Sequence, residues 1–198
     1  MKKTRKILLM AACAVLLVCI SVGATVAYLT STDSVTNTFT VGKVAITLDE
    51  AQVTEYGVAV EGDARVKANT YKLIPGHEYK KDPTVHFVAG SEASWLFVKV
   101  ENGISAIEAD TKIAAQIANN GWTALTGVDG VYYQRVDANA TSAAINYVVF
   151  EKFTLTDTAN VSAYENAAIK VTAYAVQADG FDTAKDAWNA TFGAPSNP

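Results

Sequence analysis

Thr25-Val26-Ala27 is the stretch whose residue types and spacing best specify a reaction. Small side chains at positions −3 and −1 (Thr25 and Ala27) suit the narrow pockets of a signal peptidase, which would cut between Ala27 and Tyr28. What precedes them agrees. Met1–Lys6 carries Lys2, Lys3, Arg5 and Lys6, and Ile7–Val22 is almost wholly apolar. The rival reading is a retained membrane anchor, since the apolar run approaches the ~20 residues that span a bilayer. Ser21, Gly23 and Thr25 dilute that run where a peptidase needs small residues, which favours cleavage and export. Cys19 suggests lipidation, but Val18 is bulky where a small residue is expected.

Other chemistry is sparse. His77-Glu78-Tyr79-Lys80-Lys81 opens like a zinc-protease motif, but that motif needs a second His four residues on, where this chain has Lys81. His86, the other histidine, lies in a strand-like stretch, so both histidines read as ordinary ones. Asp49-Glu50 and Glu61/Asp63 read as solvated turns rather than a glycosidase dyad. Trp95, Trp122 and Trp188 offer stacking faces for sugars, but each sits among apolar neighbours and reads as packing. The sequons at Asn139, Asn160 and Asn189 matter only in a eukaryotic host. No Gly-x-Ser-x-Gly elbow, phosphate loop or EF-hand is present, so no catalytic, cofactor or metal residue is assigned.

Four of the 16 basic residues and none of the 20 acids precede Tyr28, so removing the leader shifts the net charge from −4 to −8. An acidic chain with scattered lysines has no footprint for nucleic acid. Both cysteines, Cys13 and Cys19, fall in the leader, so the exported domain must rest on its core alone. Membrane contact is expected only of the precursor.

The elements that must position everything else read mainly as strands. Over Thr38–Leu48, Val44, Ile46 and Leu48 alternate with Lys43, Ala45 and Thr47, the period of a half-buried strand. Gly42, where the phase shifts, suggests a bulge or bend. Further strands are expected over Gln52–Val60, Ala64–Leu73, Thr84–Ala89, Ser94–Glu101, Trp122–Thr126, Val131–Val136, Ala144–Leu155 and Ala168–Gln177. Pro75-Gly76, Asp82-Pro83, Asn102-Gly103 and Asp129-Gly130 supply turns, the last a hairpin signal. A helix is expected from near Glu108 to Asn119, and a second over Asp182–Phe192 with Asp182 as its N-cap. This pattern predicts an all-β fold, an antiparallel sandwich with one or two short helical insertions. The organisation is leader 1–27, flexible segment 28–37, one domain over 38–193, and a loose tail 194–198 without a cell-wall sorting signal.

Two stretches resemble a known family. Gly23-Ala24-Thr25-Val26-Ala27-Tyr28, followed by Asn37-Thr38-Phe39-Thr40-Val41-Gly42-Lys43-Val44-Ala45-Ile46-Thr47-Leu48, is similar to the signal-and-first-strand signature of the TasA/camelysin (CalY) family. Leu73-Ile74-Pro75-Gly76 through Lys81-Asp82 resembles a second family segment that leads into the strand Trp95–Val100. The likeness covers about the first hundred residues. Asp179-Gly180-Phe181 through Trp188 departs from it.

The resemblance implies a jelly-roll-like sandwich, cut by a SipW-type signal peptidase and assembled into extracellular matrix (biofilm) fibres, alone or with other matrix proteins. The residues suggest a mechanism. Cleavage frees Tyr28, Leu29, Thr30, Ser31, Thr32, Asp33, Ser34, Val35, Thr36 and Asn37, a polar segment with apolar handles that can donate a strand to a neighbour. Such head-to-tail addition does not close and so propagates as a filament. Two other functions compete: a surface adhesin or carbohydrate-binding sandwich, and a camelysin-like secreted metalloprotease.

Overall fold

The computed structural model describes residues 3–6, 42–62, 64–109 and 112–193. Residues 3–6 form a helical turn within one unit, Met1–Thr40, and the β framework belongs to a second, Val41–Pro198.

Two antiparallel four-stranded sheets build the framework. The first has the order β2 (Arg65–Val66), β1 (Ile46–Ala51), β4 (Thr84–Phe87), β8 (Ile145–Val148). The second has the order β10 (Ile169–Gln177), β5 (Ser94–Asn102), β7 (Val131–Val136), β6 (Thr123–Ala124). A two-stranded piece, β3 (Glu78–Lys80) with β9 (Lys152–Thr154), adds Tyr79 stacked on Phe153 at 4.7 Å between ring centroids. Alternate residues from both sheets meet in one core: Val85 and Phe87 from β4, and Leu96, Val98 and Val100 from β5. Val44, Ile46 and Leu48 pack against it, the face expected from their alternation. The fold is therefore an all-β sandwich with short helical insertions.

A second, smaller core lies behind the β10-β5-β7 sheet. Phe97, Val131 and Val176 point away from the main core and are covered by Ala184, Ala187 and Trp188 of helix α2 (Ala184–Phe192). Strand β5 is thus covered on both faces, which is why Trp95-Leu96-Phe97-Val98 is an unbroken apolar run.

Several boundaries differ from the sequence reading. Helix α1 spans Ile113–Asn119 rather than starting near Glu108. Glu108 instead bridges to Leu155, and its carboxylate accepts the Ile113 N–H at 3.4 Å, marking the helix start from outside. Burial pushes the Glu108 carboxyl above its ordinary range. The N-cap of α2 is Thr183, whose hydroxyl accepts the Asp186 N–H at 3.2 Å; Asp182 lies one residue too early.

The long strand expected over Ala144–Leu155 is two strands in different sheets. Val149 and Phe150 are consecutive and both fully buried because the chain crosses the core there. The Gln116 side chain caps the break, accepting from the Glu151 and Lys152 N–H groups and donating to the Lys152 carbonyl.

Gln52–Val60 is a tight excursion closed by one bridge, Val53 to Ala59. Of Ala64–Leu73 only Arg65–Val66 is strand, since the Asn69 side chain takes up backbone groups that a longer ladder would use. Of Trp122–Thr126 only Thr123–Ala124 pairs, joined to β7 across the Asp129-Gly130 turn as expected. At Ile74-Pro75-Gly76-His77 the Pro sits at the second turn position and Gly76, at φ +72°, at the third. The His77 N–H donates to the Ile74 carbonyl, giving a type II turn.

Candidate functional site

Strand ends and edges decide what a sandwich can add to itself. Of the four edges of the two four-stranded sheets, three are short: β2 and β6 have two residues each, and β8 has four. The fourth is β10, with nine residues paired one-for-one to β5 along a single side. Among the described residues, no strand pairs with its other side.

The backbone polarity of that free side follows from the register. The Gly103 N–H donates to the Ala168 carbonyl, and the Ala178 N–H donates to the Ala93 carbonyl, both toward β5. In an antiparallel ladder every second residue turns its N–H and C=O the same way. Ile169, Val171, Ala173, Ala175 and Gln177 therefore direct theirs outward. The side chains of Ile169, Val171, Ala173 and Ala175 also pack against the main core and stay only partly buried. One edge thus offers a row of unpaired backbone groups above a half-covered apolar row. That combination is what a docking strand needs: hydrogen bonds for cohesion and apolar surface for driving force.

Two features bracket the edge. At its C-terminal end lies Gly42, where a side chain would come within 3.6 Å of the Gln177 amide. At the N-terminal end a cleft of about 590 Å³ opens, walled by Tyr71, Leu73, Phe153, Tyr164 and Ile169. The polar groups on its floor are engaged internally. Asn69 bonds to Glu50, Ala51 and Val53, and Lys81 pairs with Glu50. The Tyr71 hydroxyl donates to the Lys80 carbonyl, and burial with the nearby Glu50 and Asp82 carboxylates pushes it well above its ordinary range. The rest of the lining mixes aromatic and aliphatic side chains with Thr70, Ser162, Glu165 and Asn166.

Comparison with known proteins finds no matching family model, curated protein or solved structure. The geometry of the chain itself has to carry the functional argument.

The other sequence candidates fall as follows. Ala27 and Tyr28, and the rest of the candidate donor segment to Asn37, lie outside the described residues. His77 and His86 occupy separate clusters. His77 Nε2 lies 2.9 Å from the Tyr56 carbonyl, and His86 sits between Asp49 at 2.7 Å and Asn146 at 2.7 Å. Within His77–Lys81 the residues Glu78–Lys80 are strand and none is helix, so the stretch lacks the shared helix face of a zinc-protease motif. Among the described residues no three His, Cys, Asp or Glu side chains group around a point that could hold a metal. No helix among them is long and apolar enough to cross a membrane.

Asp49 and Glu50 are not the solvated turn expected. They are neighbours on β1 and so face opposite sides of its sheet. Asp49 pairs with Arg65 and His86 on the outer side, while Glu50 is buried at 5% exposure. Against the cost of partial burial, the His86 and Arg65 hydrogen bonds hold the Asp49 carboxyl below its ordinary range. Trp122 and Trp188 are buried, and Trp95 is half-buried with the Arg135 guanidinium 5.6 Å from its ring, in keeping with packing roles.

Proposed function

We propose that this chain is a secreted structural subunit of extracellular matrix fibres, of the TasA/camelysin kind, assembling by strand donation after its leader is removed. The β10 edge carries the reading: nine residues long, unpaired on one side among the described residues, and backed by a half-covered apolar row. Native sandwiches normally blunt such an edge, because it templates pairing with another chain.

The donor is Tyr28–Asn37 of the neighbouring copy. Ten extended residues reach about 33 Å, enough to run the length of a nine-residue strand. Tyr28, Leu29 and Val35 supply apolar side chains for the half-covered row and the cleft. While the leader remains attached, the segment is held at the membrane, so cleavage after Ala27 acts as the assembly switch. The partners are other copies of the chain, a SipW-type signal peptidase, and other matrix proteins where they share the fibre. The net charge of −8 after cleavage keeps free monomers apart until the edge contact forms.

Negative-stain microscopy of the processed protein tests this. The protein beginning at Tyr28 should form regular filaments. The protein beginning at Thr38 should stay monomeric with unchanged β-type circular dichroism, and a free peptide of residues 28–37 should shorten filaments of the former. Filaments of normal length from the protein beginning at Thr38 would overturn donation by this segment.

A further inference from the structure

At the cleft floor, Glu50, Lys81 and Asn69 form a cluster that the fibre reading does not use. Glu50 is 5% exposed and Lys81 is 8% exposed. One carboxylate engages both of its neighbours: Oε2 accepts from Lys81 Nζ, and Oε1 accepts from Asn69 Nδ2 at 2.9 Å. Asn69 is held at every polar atom. Its Nδ2 also donates to the Ala51 carbonyl at 2.9 Å, and its Oδ1 accepts the Val53 N–H at 3.0 Å. The Tyr71 ring lies 5.8 Å from Lys81 Nζ, and the same ring packs edge-on against Tyr79 and Phe153. The site is an amine, an amide and a shared carboxylate beside an aromatic wall.

We propose that Lys81 and Asn69 join in an amide cross-link, formed within the folded chain with Glu50 as the proton carrier. The shared carboxylate sets an amine and an amide beside one proton carrier. Lys81 Nζ is the nucleophile once Glu50 has taken one of its protons. It attacks Asn69 Cγ, and the negative charge that develops on Oδ1 meets the Val53 backbone N–H, a fixed donor of the oxyanion-hole type. The Nζ–Cγ bond forms and the Cγ–Nδ2 bond breaks. Through Glu50, two of the three ammonium protons pass to the departing nitrogen, which leaves as ammonium, and Glu50 returns to carboxylate. Atoms and charge balance without oxidant, metal or co-reactant.

The placement of the three side chains favours the reaction and its irreversibility. Folding alone brings them together, from β1, from the loop after β2 and from the residue following β3, so the effective concentration is high only in the native state. Asn69 and Lys81 both line the cleft, which gives ammonia a way out. The product ties residue 69 to residue 81 in a domain that has no cysteine after Cys19. It does for this sandwich what a disulfide does for others, closing a loop and constraining the unfolded chain.

The inference is independent of the fibre reading, and mass decides it. The purified, folded protein should weigh about 17 Da less than its sequence requires, the mass of the ammonia lost from the acyl donor. Trypsin should release a branched peptide in which the Ala68–Lys72 stretch is attached through Asn69 to Lys81. The Glu50→Gln and Lys81→Arg variants should show their full sequence masses and only linear peptides. If either variant fails to fold, the wild-type mass and its branched peptide still decide. Wild-type protein at its full sequence mass, with linear peptides across Asn69 and Lys81, would overturn the cross-link. A branched peptide in Glu50→Gln would overturn the role given to Glu50.

Discussion

The two sheets solve the edge problem in opposite ways. The β2-β1-β4-β8 sheet has short edges, and a polar chain of side chains crosses its outer face from strand to strand: Arg65 on β2, Asp49 on β1, His86 on β4 and Asn146 on β8. On the outer face of the β10-β5-β7-β6 sheet, polar pairing among the described residues is confined to one end, where Lys170 on β10 and Lys99 on β5 each lie 3.7 Å from Glu101. An apolar layer under α2 covers its middle, and among the described residues no strand pairs with the outer side of its long β10 edge. The first arrangement closes a sheet against additions. The second packs α2 against one face of β5 and β10, and under the proposed assembly that packing would brace the β10 edge for pairing. One sheet is tied by polar pairs and the other by an apolar layer, and that difference sets what each edge can do.

If α2 is the brace, removing its main contact should be costly. Phe97 is fully buried, with its ring 5.2 Å from Trp188 and 6.5 Å from Tyr133. Phe97→Ala should destabilise the domain by about 3–5 kcal/mol in urea unfolding, the usual cost of an aromatic-to-alanine cavity. A loss under about 1 kcal/mol would mean that the second core braces nothing.

The polar stitching on the other sheet should matter far less and should depend on pH. Asp49→Asn should cost about 1 kcal/mol or less at neutral pH, the range for solvent-reached ion pairs. The sign follows from the lowered carboxyl value. In the folded state Asp49 holds its proton less tightly than in the unfolded chain, so its contribution is complete above the ordinary value of 3.8. It is lost as pH falls from there through the lower folded value. Urea midpoints of wild type and Asp49→Asn should therefore converge below that range. A gap that stays constant into acid would show that the charge on Asp49 is not what the network uses.

Most of the braced sheet was legible in the sequence. Strand β7 matches its expected bounds, Val131–Val136, and β5 and β10 differ from theirs by one residue each. Their alternation is long enough to count. The other sheet was harder to read, because side chains rather than periodicity set its limits. Asn69 ends the β2 region by bonding to Val53, Ala51 and Glu50, contacts made through folding and invisible in local pattern. Tyr147-Val148-Val149-Phe150 looks like a continuous strand, because a chain crossing the core and a buried strand are equally apolar. The edge itself was not legible either: which strand lacks a neighbour is a property of topology. Charge pairing across 31 residues, as between Glu50 and Lys81, likewise leaves no mark in spacing.

Residue-resolved hydrogen exchange along β10, in monomer and in filament, tests the central claim most directly. Lys170, Thr172, Tyr174 and Val176 direct their N–H groups toward β5 and serve as internal controls, protected in both states. In the monomer that begins at Thr38, the amides of Ile169, Val171, Ala173, Ala175 and Gln177 should exchange fast, and in filaments of the processed protein they should become as slow as the controls. Outward amides that still exchange fast in filaments, or that are already protected in that monomer, would contradict assembly through this edge.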